Sequence, residues 1–193
     1  MTTVEREPHD VVARNLAVGA RLLAGATTFV FFCPFFAYFY LRAVDSAGMW
    51  RPVGIDPPQG FGVAITALIV LSSIALVLAS RPARASAWLP LVGLALALGL
   101  AAVVVQCVAY ARLGFGRMDG GYASVYVAWT GLTAVFVLGT MLWLETLLAY
   151  GLRSRDHVDT YDALIRPRLE ALAFFWAFLA ALAVVMWAIL YLV

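Results

Sequence analysis

Two charges lie inside long apolar runs, and they are the first candidates for chemistry. Arg21 stands in a run from about Ala17 to Leu41, and Glu145 in one from about Tyr122 to Tyr150. A charge at bilayer depth is costly and persists where it is paired or used. At about 1.5 Å of rise per residue, both sit roughly 6 to 8 Å inside the same membrane boundary. The expectation is an Arg21–Glu145 ion pair that brings the first and fourth helices together. The alternative is that Arg21 snorkels to headgroups while Glu145 faces a neighbouring subunit. Gln106 and Tyr110 are four apart and share a helix face. An amide in hydrocarbon needs a partner, so Gln106 is expected to bond a neighbouring helix or lipid headgroups. Tyr110 either joins it or serves as an interfacial aromatic. Arg42, at the outer end of the first run, is placed to meet a lipid phosphate or to snorkel.

The same inventory argues against redox chemistry in this chain. Haem and copper take His, Met or thiolate ligands. The two histidines, His9 and His157, fall in polar segments, so no apolar run carries one. The chain is therefore expected to hold no haem, no copper and no catalytic residue. Met141 and Met186 read as packing filler. Cys33 and Cys107, inside apolar runs, read as small packing residues and not as a disulfide. Asp156, Asp159 and Asp162 lie in the charged stretch Arg153 to Arg168, which lacks the glycine turn and closing Glu of a calcium loop. That stretch reads as a solvated loop against neighbouring subunits.

The elements that must position these residues follow from composition. Of 193 residues, 64% are hydrophobic and 12% charged, whereas a soluble domain carries about 25% charged residues. That excludes a soluble enzyme, a nucleic-acid binder and a disordered chain. Five runs, 17–41, 61–79, 88–110, 122–150 and 169–193, are each long enough to cross a core of roughly 30 Å as a helix. Period-two alternation is absent, so a β-barrel is not expected. The fold class is all-α, a bundle of five transmembrane helices (15–193) after a polar tail (1–14). The tail is too polar, and the run behind it too long, for a signal peptide.

Arginines set the expected orientation. Arg6, Arg14, Arg81, Arg84, Arg153, Arg155, Arg166 and Arg168 fall on one side, eight in all, against four (Arg42, Arg51, Arg112 and Arg117) on the other. The N-terminus is expected in the cytoplasm and the C-terminus outside. Every basic residue is Arg; with so much Ala, Val and Leu, this reads as coding bias. Gly131, Gly139 and the last run's Ala177, Ala180, Ala181 and Ala183 suit close helix approach.

Particular strings then carry a resemblance. Phe35 to Ala43 (FFAYFYLRA), followed by Trp50 and Pro52, resembles the first conserved helix and exit loop of the cytochrome c oxidase subunit III family. Thr66 with Leu71-Ser72-Ser73 is similar to that family's next helix. Gln106 with Tyr110 resembles its Q-x-x-E-Y element, and Tyr122-Ala-Ser124 with Thr130-Gly131 resembles the helix that follows. Phe175-Trp176-x-Phe178 and the closing Leu190-Tyr191 are similar to its terminal helix. The matches run in order over about residues 20 to 193. Ionisable residues that the family carries fall here on Thr27, Ala109, Thr133, Phe136, Ala177 and Ala180, and a family Trp falls on Ala183. Their roles are not carried over: the scaffold is kept and the polar network stripped.

The resemblance implies a non-catalytic component of a haem-copper terminal oxidase in a bacterial plasma membrane, in its five-span form. Haem and copper would reside in partner subunits I and II, with cytochrome c as an indirect partner. This chain would stabilise the core subunit and bind phospholipid, with Arg42, Trp50, Gln106, Tyr110 and Trp176 as the lipid or subunit contacts. The rivals are the accessory subunit of a nitric oxide reductase and an unrelated transporter or scaffold. Thr27 leads to a first test, because the first run contains no carboxylate. A carbodiimide that modifies buried protonated carboxylates is expected to leave residues 17–41 unlabelled. Labelling mapped there by mass spectrometry would contradict the alignment.

Overall fold

A computed structural model describes residues 8–45, 47–81, 87–153 and 165–193. Among them are five helices: α1 (His9–Ala43), α2 (Gln59–Ala79), α3 (Trp88–Ala111), α4 (Gly121–Arg153) and α5 (Arg166–Leu192). There is no strand among the described residues, and all five helices are long and apolar enough to cross a membrane. Parts of the charged stretch after α4, with Arg155, His157, Asp156, Asp159 and Asp162, lie outside the described residues, as do Arg6 and Arg84.

Prolines punctuate the helix starts. Pro8 and Pro58 precede α1 and α2, and Pro167 occupies the first turn of α5, where its missing N–H is no loss. Pro34 lies inside α1 and frees one carbonyl from the ladder. α1 starts well before the apolar run, because Asp10 and Arg14 pair at 2.9 Å across one turn and Asp10 suits the helix N-terminus. At 35 and 33 residues, α1 and α4 are about 50 Å long, well beyond a core of roughly 30 Å.

With every helix apolar on all sides, water does not choose the buried face. Close packing does. In α3 the buried residues are Val92, Ala95, Gly99, Ala102, Gln106 and Ala109, a small-residue stripe at alternating steps of three and four. Contacts run α2–α3, α3–α4, α4–α1, α1–α5 and α5–α2, closing a ring, and α4 meets α5 across it. α5 is the most buried helix and α1 the least. Across the α2–α3 pair the Ser72 hydroxyl donates to the Ala95 carbonyl at 2.7 Å.

The close approaches are not all where the sequence suggests. Ala180 and Ala183 are buried as expected, but Gly139 faces open space. The tight glycines are Gly62, Gly99 and Gly151. A Cβ on Gly62 would stand 2.5 Å from Cζ of Tyr191, one on Gly99 3.2 Å from the Trp176 ring, and one on Gly151 would overlap the Trp88 ring. Cys33 and Cys107 are free thiols on the outer surface, so neither packs inside the bundle. Gly62→Ala is therefore expected to destabilise by about 1–3 kcal/mol and to lower the thermal midpoint in detergent. Gly139→Ala is expected to leave that midpoint unchanged. Equal midpoints for the two variants would contradict this packing.

Candidate functional site

The polar side chains of the interior form one seam on α4. Tyr122, Tyr126, Thr130 and Thr133, at steps of four, four and three, face the ring's inside. The Tyr122 hydroxyl donates to the Leu190 carbonyl at 2.6 Å, and the Tyr126 and Tyr191 hydroxyls meet at 3.0 Å. Thr130 spends its single hydrogen on the Tyr126 carbonyl at 2.6 Å, so the Tyr110 hydroxyl must donate to Thr130, also at 2.6 Å. Thr133 lies 3.0 Å from the Trp129 carbonyl and 3.2 Å from Sδ of Met186. Gln106 is 5% exposed and shares with Thr130, Thr133 and Met186 a cavity of about 10 Å³. Its Nε2 has no hydrogen-bond partner among the described residues.

At one end of the bundle a loop closes over this seam. The Met49 and Trp50 carbonyls accept from the Gly121 and Tyr122 N–H groups at 3.2 and 2.8 Å, which satisfies donors that a helix start leaves free. Gly120 makes the approach possible. Its φ of +151° suits glycine, and a Cβ there would stand 2.8 Å from Cδ of Pro52. The Trp50 ring stands edge-on to Tyr38 at 5.0 Å and to Tyr122 at 5.8 Å. Arg51 lies 4.6 Å from the centre of the Tyr122 ring, donates to the Ile55 carbonyl at 3.1 Å and pairs with Asp56 at 2.5 Å. At the same end Arg42 donates to the Val193 carbonyl at 2.8 Å, tying α1 to α5.

These placements sort the sequence candidates. Tyr110 and Gln106 both turn toward α4, and Tyr110 bonds inside the bundle and not to a headgroup. Trp176, 1% exposed, packs against Gly99. It is a packing residue, not a contact with lipid or another subunit. Trp50 is a half-buried brace between α1 and α4. The Arg21–Glu145 pair does not form. Edge-on contacts of Phe31 with Phe136 (5.4 Å) and Phe35 with Trp129 (6.3 Å) set α1 and α4 antiparallel and bring Arg21 to the same end of α4 as Glu145. The depth is right and the face is wrong. Arg21 instead lines a notch with Pro167, Glu170 and Phe174 of α5, while the exposed Glu145 has no partner among the described residues.

The Arg51–Asp56–Tyr122 cluster escaped the sequence reading. Its signal was two opposite charges in a Pro- and Gly-rich loop beside Trp50. Thr27, Ala109, Thr133 and Ala180, four of the positions singled out by the family resemblance, are all buried. No cluster of three or more His, Cys, Asp or Glu that could hold a metal occurs among the described residues. Tyr122→Phe leaves the Leu190 carbonyl without its donor and is expected to cost about 1–2 kcal/mol. Gln106→Leu removes an unpartnered buried amide and is expected to cost nothing or to stabilise. Thermal midpoints in detergent check both, and an equal loss for the two would mean that the amide has a partner.

Comparison with known proteins agrees with this geometry. The family model for cytochrome c oxidase subunit III matches residues 2–193. Cytochrome c oxidase subunit 3 of Schizophyllum commune is 32% identical over 146 residues, which cover 71% of this chain and 54% of the relative. The Lachancea kluyveri protein of that name is 31% identical over 180 residues (87% and 66%), and that of Ornithorhynchus anatinus 26% over 194 (94% and 69%). The chain thus spans between about half and just over two thirds of the length of these relatives. A five-helix membrane bundle whose whole described length falls within one family match belongs to the cytochrome c oxidase subunit III family.

Proposed function

We propose that this chain is a non-catalytic component of a haem-copper terminal oxidase, holding the core subunit and its surrounding phospholipid in place. The observation that carries the reading is the match to the subunit III family over residues 2–193. Two features support it. No apolar run of the sequence contains a histidine, and His9 stands at the polar first turn of α1, so haem and copper would be ligated by partner subunits I and II. α1 also presents an aromatic stripe, Phe29, Phe32, Phe36 and Tyr40, to the outside of the bundle, which suits a neighbouring subunit or lipid. The arginine distribution supports an N-terminus in the cytoplasm. The membrane we assign it to is a bacterial plasma membrane. Cytochrome c would deliver electrons to the partner subunits without touching chemistry in this chain.

The test is affinity purification of the tagged chain from its native membrane, with mass spectrometry, a haem spectrum and a gas-consumption assay. Co-elution with haem-containing core subunits and oxygen uptake is the expected result. Haem with nitric oxide reduction and no oxygen uptake would assign it to a nitric oxide reductase. A colourless homo-oligomer would overturn both assignments.

A further inference from the structure

Glu145 is a carboxylate on the outside of the bundle at membrane depth, and no group among the described residues answers its charge. One turn away on α4 stand Met141, Leu142, Leu148 and Ala149, so its own helix offers no cation within reach. The hydroxyl of its neighbour Thr146 is spent on the Trp143 carbonyl at 2.7 Å. Arg21, level with it, lines the notch on the α1–α5 side. Arg153 lies two turns further along α4, a rise of about 12 Å. A bare charge at bilayer depth is costly, so its compensation lies beyond the described bundle.

Glu145 also stands on a stripe that the other helices leave uncovered. Ala128, Val135, Leu138, Leu142, Glu145 and Ala149 of α4 are all exposed, at steps of seven, three, four, three and four. That is a heptad spacing, which a neighbouring helix follows when it crosses at about 20° with a left-handed twist. From Ala128 to Ala149 the rise is about 32 Å, the whole hydrocarbon thickness. Midway, Gly139 permits a near approach, since a Cβ there would meet nothing within 4 Å. Toward the start of α4 the stripe sinks into a groove of about 570 Å³ between α4 and α1. Val30, Pro34 and Ala37 wall it on one side, and Ser124, Ala128 and Leu132 on the other. An apolar cavity of about 150 Å³ takes up benzene, so the groove has room for about four side chains of that size. One face of a helix presents about that many over two turns.

We propose that the outer stripe of α4, from the α1–α4 groove to Glu145, is the docking face for one membrane-spanning helix of a partner subunit, and that this helix carries an arginine or lysine at the depth of Glu145. The distance between the two features selects the occupant. From Ala128 to Glu145 the rise is about 25 Å, and one leaflet of hydrocarbon is about 15 Å deep. A single acyl chain does not reach both, and it brings no cation. A helix does both, seating side chains in the groove at one end and a charge against Glu145 at the other. A second copy of this chain fits poorly, because a two-fold contact through this face would set Glu145 against Glu145. The partner is drawn from the complex of the proposed function, so this face deepens that reading.

The test uses the tagged complex from native membranes, with the photoreactive p-benzoylphenylalanine in place of Leu138 or Leu142 in turn. After irradiation, mass spectrometry maps the adducts. The expected product joins this chain to a membrane-spanning segment of another chain that has Arg or Lys within about one turn of the captured residue. Glu145→Gln is expected to lower the yield of that adduct about tenfold, as for one member of a buried charge pair. Glu145→Arg combined with Glu at the mapped cation is expected to restore it. Gly139→Leu is expected to lower the yield while leaving the thermal midpoint in detergent unchanged, because its side chain starts in open space. Adducts with lipid alone, with residues 154–164 of this chain, with a second copy, or with a segment lacking a cation would each overturn the docking face. A yield unaltered by Glu145→Gln would do the same. The haem spectrum of the same eluate reads the oxidase assignment separately. Haem with lipid adducts alone rejects the docking face and leaves the assignment standing, whereas a cation-bearing helix captured without haem does the reverse.

Discussion

Inside hydrocarbon an apolar side chain gains nothing by leaving its surroundings, so helix association rests on shape. In this bundle shape means how near the backbones come. The small-residue stripe of α3, with Gly99 at its centre, lets Trp176 of α5 lie against helix backbone. Gly62 does the same for Tyr191, and Gly151 for Trp88. Each pair sets a bulky ring on one helix into a gap on another. Those three points sit near the two ends and the middle of the bundle, and they fix how α2, α3, α4 and α5 lie. α1 lacks such a contact, and it is the helix with the most surface left over.

The polar seam makes sense on that frame. Once the helices are close, a hydroxyl in the interior has to find a carbonyl or another hydroxyl within the bundle, because no water competes for it. Thr130, Thr133 and Thr140 turn back on their own helix, an economy open to threonine through its bond to a carbonyl one turn earlier. The tyrosines are too long for that and reach other helices, so Tyr110, Tyr122 and Tyr126 act as cross-braces. Thr27, Ala109, Thr133 and Ala180 are buried, and the interior closes around them with few polar atoms to satisfy.

Much of this was legible in the sequence, and the failures have a common cause. The number of helices and most of their ends follow from hydropathy and proline placement, as α2 and α3 illustrate to within two residues. The facing of Gln106 and Tyr110 follows from their spacing of four. Azimuth is what hydropathy could not give. When all faces of a helix are apolar, nothing marks which one turns inward. So Gly139, an ordinary small residue by sequence, lies outside, and Arg21 faces α5 where its depth alone suggested α4. α1 also extends beyond its apolar run because its first turns are held by an ion pair in water, a signal that hydropathy does not register. The loop cluster of Arg51, Asp56 and Tyr122 joins residues about seventy positions apart, and no local pattern announces such a meeting.

The ring of contacts also has an order in time. α5 is the last of the five helices to leave the ribosome, yet it touches α1, α2 and α4 and lays Trp176 on α3. Its clasp with the first helix, Arg42 to Val193, spans 151 positions of sequence. Until α5 arrives, α1 has α4 as its main contact and the glycine gaps of α2 and α3 face lipid. The first four helices are thus an open arc during synthesis, and the final one acts as a keystone. Contacts so distant in sequence form slowly. An arrest just before α5 therefore strands a half-built bundle, with the small-residue faces that promote helix association still uncovered.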